Sequence, residues 1–170
     1  YSLQSLLKKE GILAETFHLK DNKELLKKNL GEQIEKNDII LLSGGVSKGK
    51  YDFLPEVLDE LGVEKVFHKV LQRPGKPFWF GTHKTQNTLL FAFPGNPVST
   101  FTNYHVHFKP WLNKTMGTTH SAFKVILDES IANTTDLTFF KGVGVNLKNG
   151  SLIAKLIETT GSGDVIGLSK

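Results

Sequence analysis

Ser43-Gly44-Gly45-Val46-Ser47, followed by Lys48, Lys50 and Asp52, has the composition of a seat for an anion. Paired glycines let the backbone enter conformations closed to other residues, so successive N–H groups can converge on a phosphate near the positive end of a following helix. Gly44 to Lys50 also fits G-x-x-x-x-G-K, but Tyr51 stands where a Ser or Thr hydroxyl would bind Mg²⁺, so a nucleoside triphosphatase reading lacks its metal ligand. Two further Gly/Pro segments carry compatible chemistry. Gln72-Arg73-Pro74-Gly75-Lys76-Pro77 supplies two cations, and Phe93-Pro94-Gly95-Asn96-Pro97-Val98-Ser99 leads into a long helical pattern. With Lys69 nearby, Arg73 and Lys76 suit a polyanion such as a nucleotide diphosphate or an oxyanion. Asp52 and Asp21 are candidates to hold Mg²⁺ between themselves and a phosphate. Each residue has a plainer reading. Asp52 and Asp21 suit helix N-caps, Gly44 and Gly45 a turn, Pro94 and Pro97 a stiffened loop, and Lys69 a solvated strand position.

The remaining candidates are weaker. His105 and His107 lie two apart in a predicted helix and so do not share a face, which argues against a metal pair. His68 reads as a half-buried strand residue, and Ser99 has no histidine placed to activate it. The net charge of +4, from 21 basic and 17 acidic residues, favours small anions over nucleic acid. The absence of cysteine excludes disulfides and thiolate metal sites. No segment approaches the roughly 20 apolar residues of a membrane span and no signal peptide opens the chain, so a cytoplasmic protein without a membrane partner is expected.

The elements that must position these loops follow from periodicity. Leu3, Leu6 and Leu7 mark a helix closed by Gly11, and Ile12 to Leu19 has strand character. Leu26, Leu30 and Ile34 mark a second helix after the capping candidates Asp21 and Asn22. Ile39 to Leu42, apolar without alternation, suits a parallel strand covered on both faces. A helix over Asp52 to Leu61 and a strand over Val63 to Leu71 follow. Pro77 to Gly81 and Thr88 to Phe93 read as an antiparallel pair toward one edge of the sheet. Asn96 and Pro97 start a helix with Phe101, Tyr104, Phe108 and Leu112 on its apolar face, which Pro110 should kink or break. The pattern is α/β, with ligands expected beyond the carboxyl ends of the strands, where all three loops fall. Beyond Gly117 the segments Phe123 to Leu127, Leu137 to Leu147 and Ser151 to Ile157 read as short strands, so residues 1–117 are expected to form the α/β domain and 118–170 a small all-β module. With Tyr1 first and strand-like Asp164 to Ser169 last, the chain reads as part of a longer protein.

Taken together, Ser43-Gly44-Gly45-Val46-Ser47 with Asp52, Pro74-Gly75-Lys76-Pro77-Phe78 with Phe80-Gly81, and Pro94-Gly95-Asn96-Pro97-Val98-Ser99 closely resemble the molybdopterin molybdenumtransferase family, the MoeA type related to the E domain of gephyrin. The resemblance implies a three-layer α/β/α, MogA-like molybdopterin-binding domain without its first strand, then an incomplete carboxyl-terminal β-barrel domain. It also implies insertion of molybdate into adenylylated molybdopterin with release of AMP, assisted by Mg²⁺. By the match, Asp21 and Asp52 are the acidic residues for Mg²⁺ and phosphate, Lys69, Arg73 and Lys76 the anion binders, and Pro94 and Pro97 the shapers of the pocket, with Lys141 and Ser169 lining the cleft. A homodimer and a MogA-type adenylyltransferase partner are implied as well. Arg73 stands where lysine is usual in the family, and Lys48 and Lys50 replace residues usually apolar and acidic. The strand carrying the family's Thr-Gly-Asp-Glu type motif is absent, so the isolated chain is expected to be a partial ligand-binding half with little turnover. A MogA-type molybdopterin adenylyltransferase and a non-catalytic gephyrin-like scaffold are the alternative readings.

Overall fold

The computed structural model describes residues 2–19, 22–46, 53–118 and 123–157. Asp21, Ser47, Lys48, Lys50, Asp52 and the strand expected over Asp164 to Ser169 lie outside these residues.

Helix α1 (Ser2–Lys9) turns Leu6 and Leu7 inward, and α2 (Lys23–Lys36) buries Leu30 and Ile34. The α2 start is capped by Asn22, whose Oδ1 accepts from the Leu25 N–H at 3.0 Å. Strand β1 (Ile39–Ser43), helix α3 (Leu54–Glu60) and strands β2 (Glu64–His68), β3 (Gln72–Arg73), β4 (Trp79–His83) and β5 (Thr88–Phe93) follow. The main sheet has the order β1-β5-β4-β2, with β1 and β5 parallel and β4 antiparallel to both its neighbours. Strand β2 therefore runs in the same direction as β1 and β5, and all three end at one edge.

Alternation along β5 divides the core. Leu90 and Ala92 face α2 and α3 in a cluster with Leu30, Ile34, Val57, Leu58 and Trp79. Phe91 and Phe93 face the other way, packing with Leu6, Leu7, Phe78, Tyr104, Phe108 and Leu112. Helices thus cover both faces of a mixed α/β sheet, and each fully buried side chain such as Leu90 stabilises the layers by roughly 1.5–3 kcal/mol. Lys23 and Lys27 add an exposed ion network to α3, with Lys23 Nζ 2.7 Å and Lys27 Nζ 2.7 Å from Glu60. Hydrogen bonds from these lysines pull the Glu60 carboxyl down to about 2.

Helix α4 (Pro97–Asn103) runs through a π-helical turn (Tyr104–Phe108) directly into α5 (Lys109–Thr115). Pro110 does not end the helix, one of the two outcomes the sequence suggests. In an α-helix its ring would clash with the carbonyl four residues earlier, and the wider π turn just before it relieves that conflict. Beyond α5 lie β6 (Ile126–Leu127), β7 (Thr138–Phe139), β8 (Val143–Lys148) and β9 (Ser151–Leu156). Strands β6, β9 and β8 form one small sheet, whereas β7 pairs in parallel with β3.

Several expectations need correction. Ile12 to Leu19 forms no strand: it finds no neighbour in the sheet, and Leu13 and Phe17 are 93% and 55% exposed. An unpaired strand leaves backbone groups that water satisfies equally well. The strand expected from Val63 to Leu71 stops at His68, because Lys69 adopts φ 72°. The β4–β5 hairpin lies in the middle of the sheet rather than toward an edge, since β1 and β2 flank it. Among the described residues strand β1 occupies an edge, and it is not covered on both faces along its length, with Ile39 38% exposed. Phe101 is exposed, whereas Tyr104, Phe108 and Leu112 of the expected apolar stripe are buried. Phe123 to Leu127 and Leu137 to Leu147 shorten to the pieces that find partners.

Candidate ligand site at the carboxyl edge of the sheet

Strands β1 and β5 end flush, with Ser43 opposite Phe93, so the first and third loops leave the sheet side by side. Gly44 and Gly45 take φ 92° and 71°, a left-handed path that turns loop one across the end of β5. There the Gly44 N–H donates to Phe93 O at 2.9 Å. A Cβ on Gly95 would lie 3.8 Å from Gly44 Cα, so the two loops touch through glycine. Val46 is buried in the core and anchors loop one, and its carbonyl is 3.3 Å from His68 Nε2 at the end of β2. A cavity of about 110 Å³ opens here, lined by Ser2, Leu3, Ser43, Gly95, Pro97 and Thr100. It has room for a small oxyanion, well below the roughly 300 Å³ of a site that encloses a larger ligand.

Loop three closes partly on itself. Asn96 is the N-cap of α4: its Oδ1 accepts from the Ser99 N–H at 3.0 Å, and its carbonyl accepts from the Thr100 N–H at 2.9 Å. Thr100 Oγ1 donates to Pro94 O at 2.5 Å. Ser99 is buried, and the Ser99 and Thr100 N–H groups are committed within the loop, leaving fewer donors for a ligand than the sequence pattern suggests.

Loop two leaves the same edge but departs from the crevice. Lys69 holds its left-handed backbone at a cost of about 1–2 kcal/mol and donates its N–H to Phe78 O at 2.8 Å. It stands just beyond the strand, exposed. The chain then pairs Gln72 and Arg73 with Thr138 and Phe139 and passes a cis Arg73–Pro74 bond. It continues through Gly75, at φ 91°, before re-entering the sheet. Among the described residues, Lys69, Arg73 and Lys76 make no salt bridge, and Arg73 and Lys76 are exposed. Lys141 places its Nζ 5.4 Å from the ring centroid of Phe139, which pairs with Arg73.

Three residues not singled out as a group hold loop two. Gln72 Nε2 donates to Asn103 Oδ1 at 2.7 Å and to Pro74 O at 2.9 Å. Asn103 Nδ2 donates to Gly75 O at 3.0 Å, and His107 Nε2 is 2.7 Å from Gln72 Oε1. His107 also stacks on Phe78 at 5.0 Å, and burial lowers its pKa. His105 instead meets Phe101 and Tyr104, so the two histidines do occupy different faces. One signal pointed to this group: Asn103 is a polar residue beside Tyr104 in the apolar stripe of a predicted helix.

The layers and the edge crevice define the class of α/β domain that takes ligands beyond the carboxyl ends of its strands. The family model described as a probable molybdopterin binding domain matches residues 1–114, and the chain belongs to that family. The molybdopterin molybdenumtransferase of Synechocystis sp. is 39% identical over 109 residues, covering 64% of this chain and 28% of that protein. The molybdopterin molybdenumtransferase of Bacillus subtilis is 30% identical over 143 residues, covering 81% and 32%. The crystal structure of the molybdopterin biosynthesis moeA protein from Pyrococcus horikoshii OT3 superposes with a TM-score of 0.72 at 26% identity, covering 98% of this chain and 38% of that one. The resemblance carried by the three loops is thus borne out, and the chain spans between 28% and 38% of the length of these three proteins.

Proposed function

We propose that this chain is the pterin-binding part of a molybdenumtransferase of molybdenum cofactor biosynthesis, which inserts molybdate into adenylylated molybdopterin and releases AMP. The observation that carries the reading is the flush ending of β1 and β5, which brings Ser43-Gly44-Gly45 against Gly95 in a chain whose relatives bear that name. In this reading the substrate's phosphates meet the backbone of Ser43 to Ser47, and Lys69, Arg73 and Lys76 draw the polyanion to the edge. Pro94, Gly95, Asn96, Pro97 and Ser99 form the opposing wall, braced by the Asn96 cap and the Thr100–Pro94 hydrogen bond.

Asp21 and Asp52 are proposed to hold Mg²⁺, which when bound would neutralise phosphate charge as AMP departs. Among the described residues no group of three or more His, Asp or Glu side chains could hold a metal, so this assignment rests on those two positions alone. The cavity of about 110 Å³ is small for a nucleotide, so the rest of the cleft is proposed to come from other domains and from the second subunit of a homodimer. A MogA-type adenylyltransferase would supply the substrate. The sheet of β6, β9 and β8 is read as part of a barrel that begins beyond Gly117, and the cytoplasm as the compartment. Among the described residues no helix is long and apolar enough to cross a membrane.

The test is titration of the chain with adenylylated molybdopterin, with and without Mg²⁺, beside Asp52→Asn. Mg²⁺-enhanced binding that the variant loses is the expected result. No binding to a folded wild-type chain would sink the proposal.

A further inference from the structure

Anion-binding loops face a local obstacle, because every peptide carbonyl is a partial negative charge that repels the ligand. Loop two meets it carbonyl by carbonyl. Arg73 O accepts from the Phe140 N–H at 2.9 Å, Pro74 O from Gln72 Nε2 at 2.9 Å, and Gly75 O from Asn103 Nδ2 at 3.0 Å. Lys76 O accepts from the Val70 and Phe78 N–H groups, each at 3.0 Å. Four successive carbonyls are thereby committed to donors of the protein, while the Arg73 and Lys76 side chains are exposed.

Two of those donors come from side chains held by burial. Gln72 is 3% exposed and Asn103 fully buried. The ring N–H of His107 meets Gln72 Oε1, which fixes the carboxamide so that its two N–H groups point at Asn103 and Pro74. Asn103 completes the chain by accepting from Gln72 and donating to Gly75. Gly75 is required by the same contact, since a Cβ there would fall 2.9 Å from Asn103 Cγ in a backbone of φ 91°.

We propose that Gln72, Asn103 and His107 are positioning residues that turn the Pro74 and Gly75 carbonyls inward and, by fixing the backbone between them, set Arg73 and Lys76 as a surface for a phosphate-type anion. The inference rests on the reading above only in taking Arg73 and Lys76 to meet phosphate.

The test uses inorganic pyrophosphate as the probe, titrated calorimetrically into the whole chain at fixed low salt, with folding of every variant checked by circular dichroism. Arg73→Ala with Lys76→Ala is expected to weaken binding about tenfold. Asn103→Leu and, from the other side of the contact, Gly75→Ala are each expected to weaken it by about three- to tenfold. Either is then placed in the background lacking both cations. Positioning through Arg73 and Lys76 predicts no further loss there, whereas general damage to the fold lowers affinity equally in both backgrounds. An additive loss, or unchanged affinity in a folded Asn103→Leu or Gly75→Ala chain, overturns the proposal. So does equal pyrophosphate binding with and without the two cations. Should pyrophosphate binding follow this pattern while the pterin nucleotide fails to bind, the positioning role stands and the molybdenumtransferase reading falls.

Discussion

The α/β part of the chain and the β segment after Gly117 differ in how they hold their shape. In the first, both faces of the sheet are covered, and Leu90, Phe93, Tyr104 and Val57 are fully buried. In the second, Ala154 alone among the described residues joins the buried apolar set, and Leu147, Ile126 and Val145 are 73%, 58% and 46% exposed. What links the two is β3 with β7, a pairing two residues long made by the loop that carries Arg73. Apolar burial is thus concentrated in the α/β part, and among the described residues the β segment meets it through backbone pairing.

The largest effect that distinguishes these regions should come from the cores. Leu90→Ala is expected to destabilise the chain by about 2–5 kcal/mol, and Leu147→Ala by less than about 0.5 kcal/mol, in urea unfolding. Comparable losses would erase the contrast. Next in size is the cap at the crevice: Asn96→Ala should cost about 1 kcal/mol by the same measurement, because the Ser99 N–H loses its acceptor.

A smaller effect should appear with pH. Burial lowers the His107 pKa, so below the ordinary value near 6.5 the unfolded chain takes up a proton before the folded chain does. Stability should therefore be full above about pH 6.5 and fall as pH drops from there toward the folded value. His107→Gln should flatten that slope in a series of urea midpoints; an unchanged slope would assign the dependence elsewhere. The smallest effect is expected at Tyr104, whose hydroxyl is buried without a hydrogen-bond partner among the described residues. Burial, with a contribution from Glu10, pushes this phenol up to about 12. Tyr104→Phe should be neutral or stabilising by up to about 1 kcal/mol, since no bond is lost, and a fall in melting temperature would reveal a missed partner.

Much of this arrangement was legible in advance, because the relevant signals are local. Asn96 with Pro97 announces a helix start, Gly44 with Gly45 a left-handed turn, and the stripe of Tyr104, Phe108 and Leu112 a buried face. The failures involve partners distant in sequence. Ile12 to Leu19 has the composition of a strand, but strand formation needs a neighbour. The β4–β5 hairpin was recognisable, yet its central place depends on β1 and β2 closing around it. Asp21 and Asp52, the proposed metal ligands, lie outside the described residues, so their assignment still rests on the sequence.

The sequence by itself determined the α/β class, the helix starts and the three loops, since residue type sets φ, capping and amphipathic period within a few residues. Tertiary structure decided which strands share an edge, why Pro110 is tolerated, and how Gln72, Asn103 and His107 converge on Gly75 and Pro74 across some thirty positions of chain. Those contacts are fixed by packing between elements, which sequence periodicity does not encode.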